Sequence, residues 1–309
     1  MVFKRMLGAF GVGAPTVDTV LTTPRIQPGG RLSGEVRLTG GDFDAEIEHV
    51  TLGLVARVEI EHGEGEGSGV GEFFRTTVSG PFTLAKGEDR TLAFTVAVPW
   101  ETPLTEVGGR PLTGMAVGVR TELAIAKAVD KGDLDPVAVE PLPSQLRVLE
   151  AFPQLGFQFR SADLEVGSLY GVRQELPFYQ EIEFYAPGGG EAELTFVADE
   201  GGLEIVLESG GRSGDAIGRF HVTHEEALRR DWAGEIDRWM AQLSQSSHHG
   251  HHGHHGYDHD DHGHGGPGFG AVTAGAAAGV VGGLVMGEAI EEIFEGDGVD
   301  GGDGGDGDW

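Results

Sequence analysis

Hydrophobic and polar residues alternate with a period of two in several stretches between residues 17 and 129. The clearest runs cover residues 50–60, 92–98 and 117–125. This period predicts β-strands with one face in a core and the other face mostly toward solvent. Turn signals rich in glycine and proline separate the runs, and no long amphipathic pattern interrupts them. We therefore expect an antiparallel β-sandwich rather than β-α-β units.

Prolines mark the end of this first run of strands. Pro136, Pro141 and Pro143 lie within residues 133–143 and favour an extended linker, because proline interrupts a helix. A short helix is predicted over residues 144–151. Strand patterns then resume and predict a second, smaller sandwich. Its predicted strands cover residues 155–160, 180–185, 192–198 and 203–208.

The period changes at Thr223 from that of a strand to that of a helix. Thr223 and Glu226 have the spacing of a helix capping box. One apolar stripe follows, made of Leu228, Trp232, Ile236, Trp239, Met240 and Leu243. These features predict a single amphipathic helix of about five turns that ends near Gln245 and packs on the second sandwich.

The charge is strongly negative and unevenly distributed. Fifty acidic residues against 21 basic ones give a formal net charge of −29, and no Lys or Arg follows Arg238. Such a surface repels phosphate backbones, so we expect no nucleic-acid partner; it attracts cations or the basic face of a protein. The chain has no cysteine, which excludes disulfides, thiolate metal sites and a cysteine nucleophile.

Residues 247–266 hold nine of the chain's 13 histidines, three times as His-His-Gly. Imidazole binds zinc, nickel and copper, but glycine at every third position makes an ordered site costly, at about 1–2 kcal/mol per fixed residue. We expect weak zinc or nickel binding by a solvated linker and no resident cofactor. The predicted metal ligands are His248, His249, His251, His252, His254, His255, His259, His262 and His264.

Residues 269–287 carry no charge and come close to the length that crosses a bilayer. Gly275, Gly279, Gly283 and Gly287 recur at four-residue intervals, a pattern that lets helices pack closely. Two interpretations stay open. The segment is a helix that self-associates or makes weak membrane contact, or it is a Gly/Ala spacer.

Other motifs argue against catalysis. Residues 63–71 are rich in glycine but lack the Lys-Ser/Thr of a phosphate loop, and we expect a plain loop there. His221 and His224 are three residues apart, yet a surface or capping role is favoured over a metal pair. The sequence contains no Gly-x-Ser-x-Gly, no His-Glu-x-x-His and no nucleotide fingerprint.

Several blocks of sequence together resemble a known family. They are residues 17–19 (VDT), 28–36 (PGGRLSGEV), 47–58, 98–103 (VPWETP), 119–125 (VRTELAI), 130–136 (DKGDLDP), 155–157 (LGF) and 176–184 (LPFYQEIEF). In order and content the chain is similar, over residues 1–243, to bacterial sporulation-control proteins of the stage-zero M type. The resemblance implies two tandem arrestin-like sandwiches and a regulatory role in entry into sporulation, linked to cell division or the cytoskeleton. It brings no catalytic residues.

The predicted organisation is all-β, with seven segments. They are an N-terminal arrestin-like sandwich (1–135), a linker (136–152), a C-terminal arrestin-like sandwich (153–222), the amphipathic helix (223–245), a His/Gly-rich linker (246–268), a Gly/Ala-rich helix (269–295) and an acidic disordered tail (296–309). Residues 248–309 and the acidic loop 61–71 depart from the family pattern.

We expect a non-enzymatic regulatory scaffold in the cytoplasm that binds a protein partner. Asp130, Asp133 and Asp135 are expected to set the geometry of the interdomain linker. The alternatives are a membrane-peripheral protein that forms homo-oligomers through residues 269–287, and a metal-responsive protein that uses the His-rich segment.

Overall fold

The computed structural model describes residues 13–62, 65–209, 216–248, 280–281 and 284–287, and these are mostly β-strand. The strands are β1 (Thr16–Leu21), β2 (Arg25–Ile26), β3 (Arg31–Thr39), β4 (Ala45–His62), β5 (Gly65–Ser79), β6 (Phe82–Leu84), β7 (Asp89–Ala97), β8 (Glu106–Val107), β9 (Arg110–Pro111), β10 (Val117–Ile125), β11 (Lys131–Pro136), β12 (Ala138–Val139), β13 (Gln158–Val166), β14 (Phe178–Tyr185), β15 (Glu191–Ala198), β16 (Gly202–Ser209), β17 (Ala216–Thr223), β18 (Val280–Val281) and β19 (Leu284–Gly287). The helices are α1 (Pro143–Leu149), α2 (Ala151–Gln154), α3 (His224–Arg229) and α4 (Trp232–His248).

The first unit is the predicted antiparallel sandwich. One sheet has the order β1-β3-β7, and the other runs β11-β10-β4-β5 with β6 paired to the start of β4. Alternate residues of the predicted runs enter the core between the sheets, including Leu52, Leu54, Phe94, Val119 and Leu123. The mostly β, antiparallel fold class is therefore confirmed.

Strand β4 differs from its prediction because its second face is also buried. Thr51 is 5% exposed and Val55 is fully buried. The Glu72 carboxylate lies over Gly53, where an added Cβ would collide with it. Arg75 donates to both oxygens of that carboxylate and to the Thr51 hydroxyl. A charged cluster thus covers the face expected to meet solvent.

Most of the acidic, glycine-rich stretch predicted as a loop is strand. The antiparallel ladder between β4 and β5 continues to the pair His62↔Gly65, so residues 65–71 belong to β5. Backbone pairing satisfies the amide and carbonyl groups whatever the side chains are, and glycine permits close strand approach. The loop prediction was wrong there.

The predicted linker is folded rather than simply extended. β12 pairs in parallel with β2, which ties residues 138–139 to the first unit. Pro143 begins α1, where its missing N–H is no loss because the first amides of a helix have no partner within it. The predicted short helix is present as α1 and α2.

In the second unit, β13 to β17 form one antiparallel sheet in chain order, joined to β4 through the single backbone pair Glu165↔Glu59. Helices supply the opposite layer, where a second sheet was expected. Phe152 of α2 stacks on Phe184 at 4.2 Å between ring centroids. Aromatic side chains of α4 likewise pack on β17.

The single helix predicted from Thr223 is two helices. The capping box is confirmed, since Thr223 Oγ1 accepts from the Glu226 amide at 3.2 Å and the Glu226 carboxylate accepts from the Thr223 amide at 2.9 Å. Arg230 is extended, and the Asp231 side chain accepts from the Gly234 amide at the start of α4. The break changes the helical phase, so Leu228 is 48% exposed instead of joining the apolar stripe.

The C-terminal segments lie largely outside the described residues. This applies to most of the predicted linker 246–268, to the tail 296–309 and to 269–295 except for six residues. Those six form a β-hairpin rather than a helix: β18 pairs with β19, and β19 pairs with the outer edge of β5. Val280, Val281 and Val285 are β-branched, which favours strand over helix. Of the helices that the structure describes, none has the length and apolar character needed to cross a membrane.

Candidate functional site

Two of the blocks that carry the family resemblance meet between the two units. Residues 98–103 follow β7, and residues 176–184 enter β14. We call this contact region the interdomain joint and define it by Trp100, Glu101, Leu104, Gln180 and His224.

His224, the first residue of α3, is held at both ring nitrogens. Nδ1 lies 2.8 Å from the Ser144 hydroxyl, and Nε2 lies 2.9 Å from the Asp199 carbonyl oxygen. Because a carbonyl oxygen only accepts, Nε2 carries the proton, and in the neutral ring Nδ1 accepts from Ser144. The ring also stacks on Trp100 at 5.8 Å between centroids.

Trp100 is in turn positioned by the block at residues 28–36. Gly29 has φ +69° and lies against the indole ring so closely that an added Cβ would collide with it. Glycine meets both demands, because it has no Cβ and readily adopts positive φ.

Glu101 crosses the joint through its carboxylate. One oxygen accepts from the Glu175 amide at 2.7 Å, and the other accepts from the Leu176 amide at 2.7 Å. Burial raises the pKa of Glu101, and the two amide donors counteract that effect. This carboxylate therefore binds the loop before β14.

Gln180 extends a strand-like pairing across the joint. Its amide oxygen accepts from the Leu104 amide at 2.9 Å, and its amide nitrogen donates to the Leu104 carbonyl at 2.8 Å. A crevice beside these bonds has a volume of about 20 Å³, and Trp100, Glu101, Gln145 and Phe178 are among its lining residues. That volume admits about one water molecule. These hydrogen bonds connect the first unit to the second.

A second convergence of family-like blocks lies at the seam between β1 and β11. The Asp133 carboxylate accepts from the Thr19 amide at 2.6 Å, and the Thr19 hydroxyl is 2.6 Å from that of Thr121. Asp130 accepts from the Ile125 amide at the turn before β11. Burial, together with the charges of Asp133 and Asp18, raises the pKa of Asp135 to about 6.

The three aspartates thus act within the first unit, where Asp133 connects the two sheets and Asp130 closes the turn before β11. The expectation that they set the geometry of the interdomain linker was wrong. Sequence proximity to the prolines suggested that role, whereas strand pairing directs Asp133 toward β1.

The face of the second sheet that points away from the helices is acidic. We call this surface the acidic sheet face; strand register places on it Asp163, Glu165, Glu181, Glu183, Glu191, Glu193, Glu204 and Glu208. Carboxylate oxygens of Asp163, Glu165 and Glu181 lie within 4.8 Å of one another, a spacing that could hold a metal ion. Burial, followed by the charges of Glu193 and Asp163, raises the pKa of Glu181 to about 8.

The histidines are dispersed. His221 is on the acidic sheet face, where its Nδ1 is 2.6 Å from Glu204, whereas His224 is in the joint; they form no common site. Of the nine predicted metal ligands, His248 ends α4, and the other eight lie outside the described residues. The metal prediction for this segment stays a prediction.

Sequence reasoning missed the joint and the acidic sheet face. The face had a visible signal, since glutamates alternate with apolar residues at 181–184 and 191–194. His224 and Gln180 gave no such signal, because their partners lie far away in the chain.

Comparison with known proteins supports the family resemblance suggested by the sequence blocks that meet at the interdomain joint and at the seam between β1 and β11. A family model described as Spo0M: SpoOM protein matches residues 3–213. The chain belongs to the Spo0M family.

Similarity to individual Spo0M proteins extends over most of the folded body. The chain is 36% identical over 212 residues to the sporulation-control protein Spo0M of Bacillus subtilis (strain 168), covering 67% of this chain and 79% of that protein. It is also similar to the crystal structure of Spo0M from Bacillus subtilis, with a TM-score of 0.65, 30% identity, and coverage of 76% of this chain and 99% of that chain. The seam, Trp100 and Gln180 lie inside the family match, whereas His224 and the C-terminal hairpin lie beyond it.

Proposed function

We propose that this Spo0M-family chain is a non-enzymatic regulator of the sporulation-control type that works in the cytoplasm by binding partner proteins. The observation that carries the proposal is the interdomain joint. Its hydrogen bonds through Glu101, Gln180 and His224 combine two β-rich units into one platform. A platform of fixed shape suits recognition, because little freedom is lost when a partner binds.

The contacts of the titratable groups at the joint also support binding over catalysis. The Glu101 carboxylate accepts backbone amides, and both nitrogens of His224 are engaged. A catalytic acid or base must instead reach a substrate atom. The proposed function requires no cofactor.

Charge supports a partner with a basic contact surface. The net charge is −29, and the acidic sheet face concentrates carboxylates on one side of the second unit. Opposite charge speeds encounter and selects among partners, whereas nucleic acid is repelled.

Site-specific photo-crosslinking in the native cell tests the proposal. A photoreactive amino acid would replace, one at a time, five large exposed hydrophobic residues: Val129, Phe159, Tyr170, Tyr185 and Leu228. We expect discrete protein adducts at some positions and none at the others, since a partner covers one surface. Absence of discrete adducts at all five positions would contradict a protein-binding scaffold.

The two alternatives make separate predictions. Self-association or membrane contact would use residues 269–287. The described part of that segment pairs with β5 of the same chain as strand, so it does not support the predicted helix. A metal-responsive role depends on the His-rich segment and is tested by metal titration in the Discussion.

A further inference from the structure

Strand β5 is flanked on both sides by strands of the same chain. On one side it pairs with β4 along nearly its whole length. On the other side β19 pairs with residues Val70–Glu72, in the register Val285↔Glu72, Met286↔Gly71 and Gly287↔Val70. The chain therefore covers this edge of its own sheet with a strand from its far C-terminal part.

Without β19, residues Val70–Glu72 would form an open edge with little to prevent pairing with other molecules. An uncovered edge strand presents N–H and C=O groups that pair readily with another extended strand. Proteins usually blunt such edges with charge, proline or a short strand, yet β5 is 15 residues long and contains no proline. The Glu72 carboxylate is 2.7 Å from Arg75 and 2.8 Å from Arg120, so its charge is offset. A covering strand is therefore the protection that this part of the edge has.

The extent of the short ladder follows from the shape of β5. The register of β5 against β4 shifts between Leu54 and Val55, so that Phe73 is an extra residue in the ladder. A bulge of this kind bends the strand and disturbs the spacing of its hydrogen-bonding groups. Before the bulge, Val70 is 3% exposed and packs with Val55, which holds the edge in place. β19 thus pairs with the three residues just before the bulge, where the edge is regular.

A covalent connection favours the chain's own strand over a competitor. The helix α4 ends at His248, β18 begins at Val280, and β18 pairs with β19. Two interacting segments joined in one chain meet at an effective concentration of about millimolar. A strand from another molecule at lower concentration is therefore excluded while β19 is in place.

We propose that β19 is an intramolecular strap that closes the edge of β5 at Val70–Glu72 and prevents strands of other molecules from pairing there. The strap acts through backbone hydrogen bonds, so its effect depends on the extended conformation of Leu284–Gly287. Release of the strap exposes the edge and leads to self-association through it. This role goes beyond the proposed function and does not rest on it.

An engineered disulfide tests whether the strap and the edge pair within one molecule. The full-length chain, which has no cysteine of its own, would carry Gly71→Cys and Met286→Cys. These positions face each other across the ladder, so oxidation should give a disulfide within the monomer. The matched control carries Gly71→Cys and Val280→Cys, because β18 is one strand further from β5. The pair Val70→Cys and Gly287→Cys repeats the test if the change at Gly71 disturbs folding.

Each outcome of the oxidation decides the strap. A disulfide within the monomer that forms several-fold faster than in the control supports it. Equal rates in the two variants, or a disulfide that forms only between copies, would overturn it.

Hydrogen exchange measures what the strap protects. In Met286→Pro the outward-facing amides of Val70–Glu72 should exchange at least about tenfold faster than in wild type, because proline cannot join the ladder. Met286→Val is the matched control, since it changes the side chain and keeps the backbone N–H. Amides of β10 should exchange at the wild-type rate in both variants, which reports that the sandwich stays folded. Equal exchange at Val70–Glu72 in the two variants would contradict the strap.

Sedimentation tests the protective role. At high protein concentration, Met286→Pro should show a self-associated fraction several-fold above that of wild type and of Met286→Val. Faster exchange at the edge without a rise in self-association would overturn the protective role. Photo-crosslinking of partner proteins by Met286→Pro is a separate measurement, and its result bears on the proposed function alone.

Discussion

His224 and Ser144, 80 residues apart in the chain, are joined by a 2.8 Å hydrogen bond between Nδ1 and Oγ. The same ring reaches the Asp199 carbonyl at 2.9 Å and stacks on Trp100. One side chain thus connects α1, the turn after β15 and the loop after β7. In this Spo0M-family chain, the relation between the units depends on such long-range contacts.

Replacing His224 with alanine should destabilise the protein. The change leaves the Ser144 hydroxyl and the Asp199 carbonyl without this partner and removes the stacking on Trp100. We expect the free energy of unfolding to fall by about 1–3 kcal/mol. Urea denaturation measures this loss. His221→Ala is the matched control, because His221 is exposed and its ring pairs with Glu204 on the acidic sheet face. Equal losses in the two variants would contradict the role of the joint.

Gly29→Ala should displace Trp100. The new methyl group would meet the indole ring, and the backbone has a φ of +69° that disfavours alanine. We expect a loss of about 2 kcal/mol in the free energy of unfolding and a change in tryptophan fluorescence. Gly80→Ala is the control, since an added Cβ there meets nothing within 4 Å. Unchanged fluorescence in Gly29→Ala would refute this packing.

Glu181→Gln should stabilise the protein at alkaline pH. The pKa of Glu181 is raised from 4.5 to about 8, so the folded state binds its proton more tightly than the unfolded state. The stability contributed by the bound proton is fully present below pH 4.5 and is lost as the pH rises through 8. The variant should be about 1–2 kcal/mol more stable than wild type above pH 8, a value reduced for partial exposure.

Denaturation across pH checks the Glu181 prediction. Glu200→Gln, in the exposed turn before β16, is the control variant. A wild-type profile that stays parallel to that of Glu181→Gln between pH 4.5 and 8 would show that the carboxylate is not perturbed.

Asp135→Asn should act in the same direction over a lower pH range. Burial and the charges of Asp133 and Asp18 raise the pKa of Asp135 from 3.8 to about 6. The stabilising effect of its proton is present below pH 3.8 and lost as pH rises through 6. Above pH 6 the variant should gain about 1 kcal/mol in unfolding free energy. Asp237→Asn, on the exposed face of α4, serves as the control. A loss of stability in Asp135→Asn above pH 6 would contradict charge repulsion between Asp135 and its neighbours Asp133 and Asp18.

Replacing the nine histidines of residues 248–264 by serine should weaken zinc and nickel binding by at least about tenfold. Calorimetric titration of the full chain measures it. Asp163→Asn in the wild-type background reports separately on the carboxylate group of the acidic sheet face. Equal affinity of the histidine variant and wild type would exclude the His-rich segment as the metal site.

Local patterns carried much of the fold. The alternation around residues 117–125 predicted β10, and the Thr223–Glu226 spacing predicted the cap of α3, because each depends on neighbours in the chain. Predictions from local patterns were wrong where contacts with residues distant in the chain decided the structure. The sequence of β4 alternates, yet Glu72 and the arginines bound to it cover the second face of the strand. Residues 65–71 form a strand because β4 pairs with them.

The sequence by itself determined the antiparallel β-rich class, the acidic character and the resemblance to the sporulation-control family, because periodicity, charge and motif order are properties of the linear chain. Tertiary structure alone decided which of those motifs meet. Trp100 reaches His224 and Thr19 reaches Asp133 only after the chain folds, since a side chain's partners are set by the packing of strands distant in sequence. Strand pairing likewise brings eight carboxylates onto the acidic sheet face and a C-terminal strand beside β5.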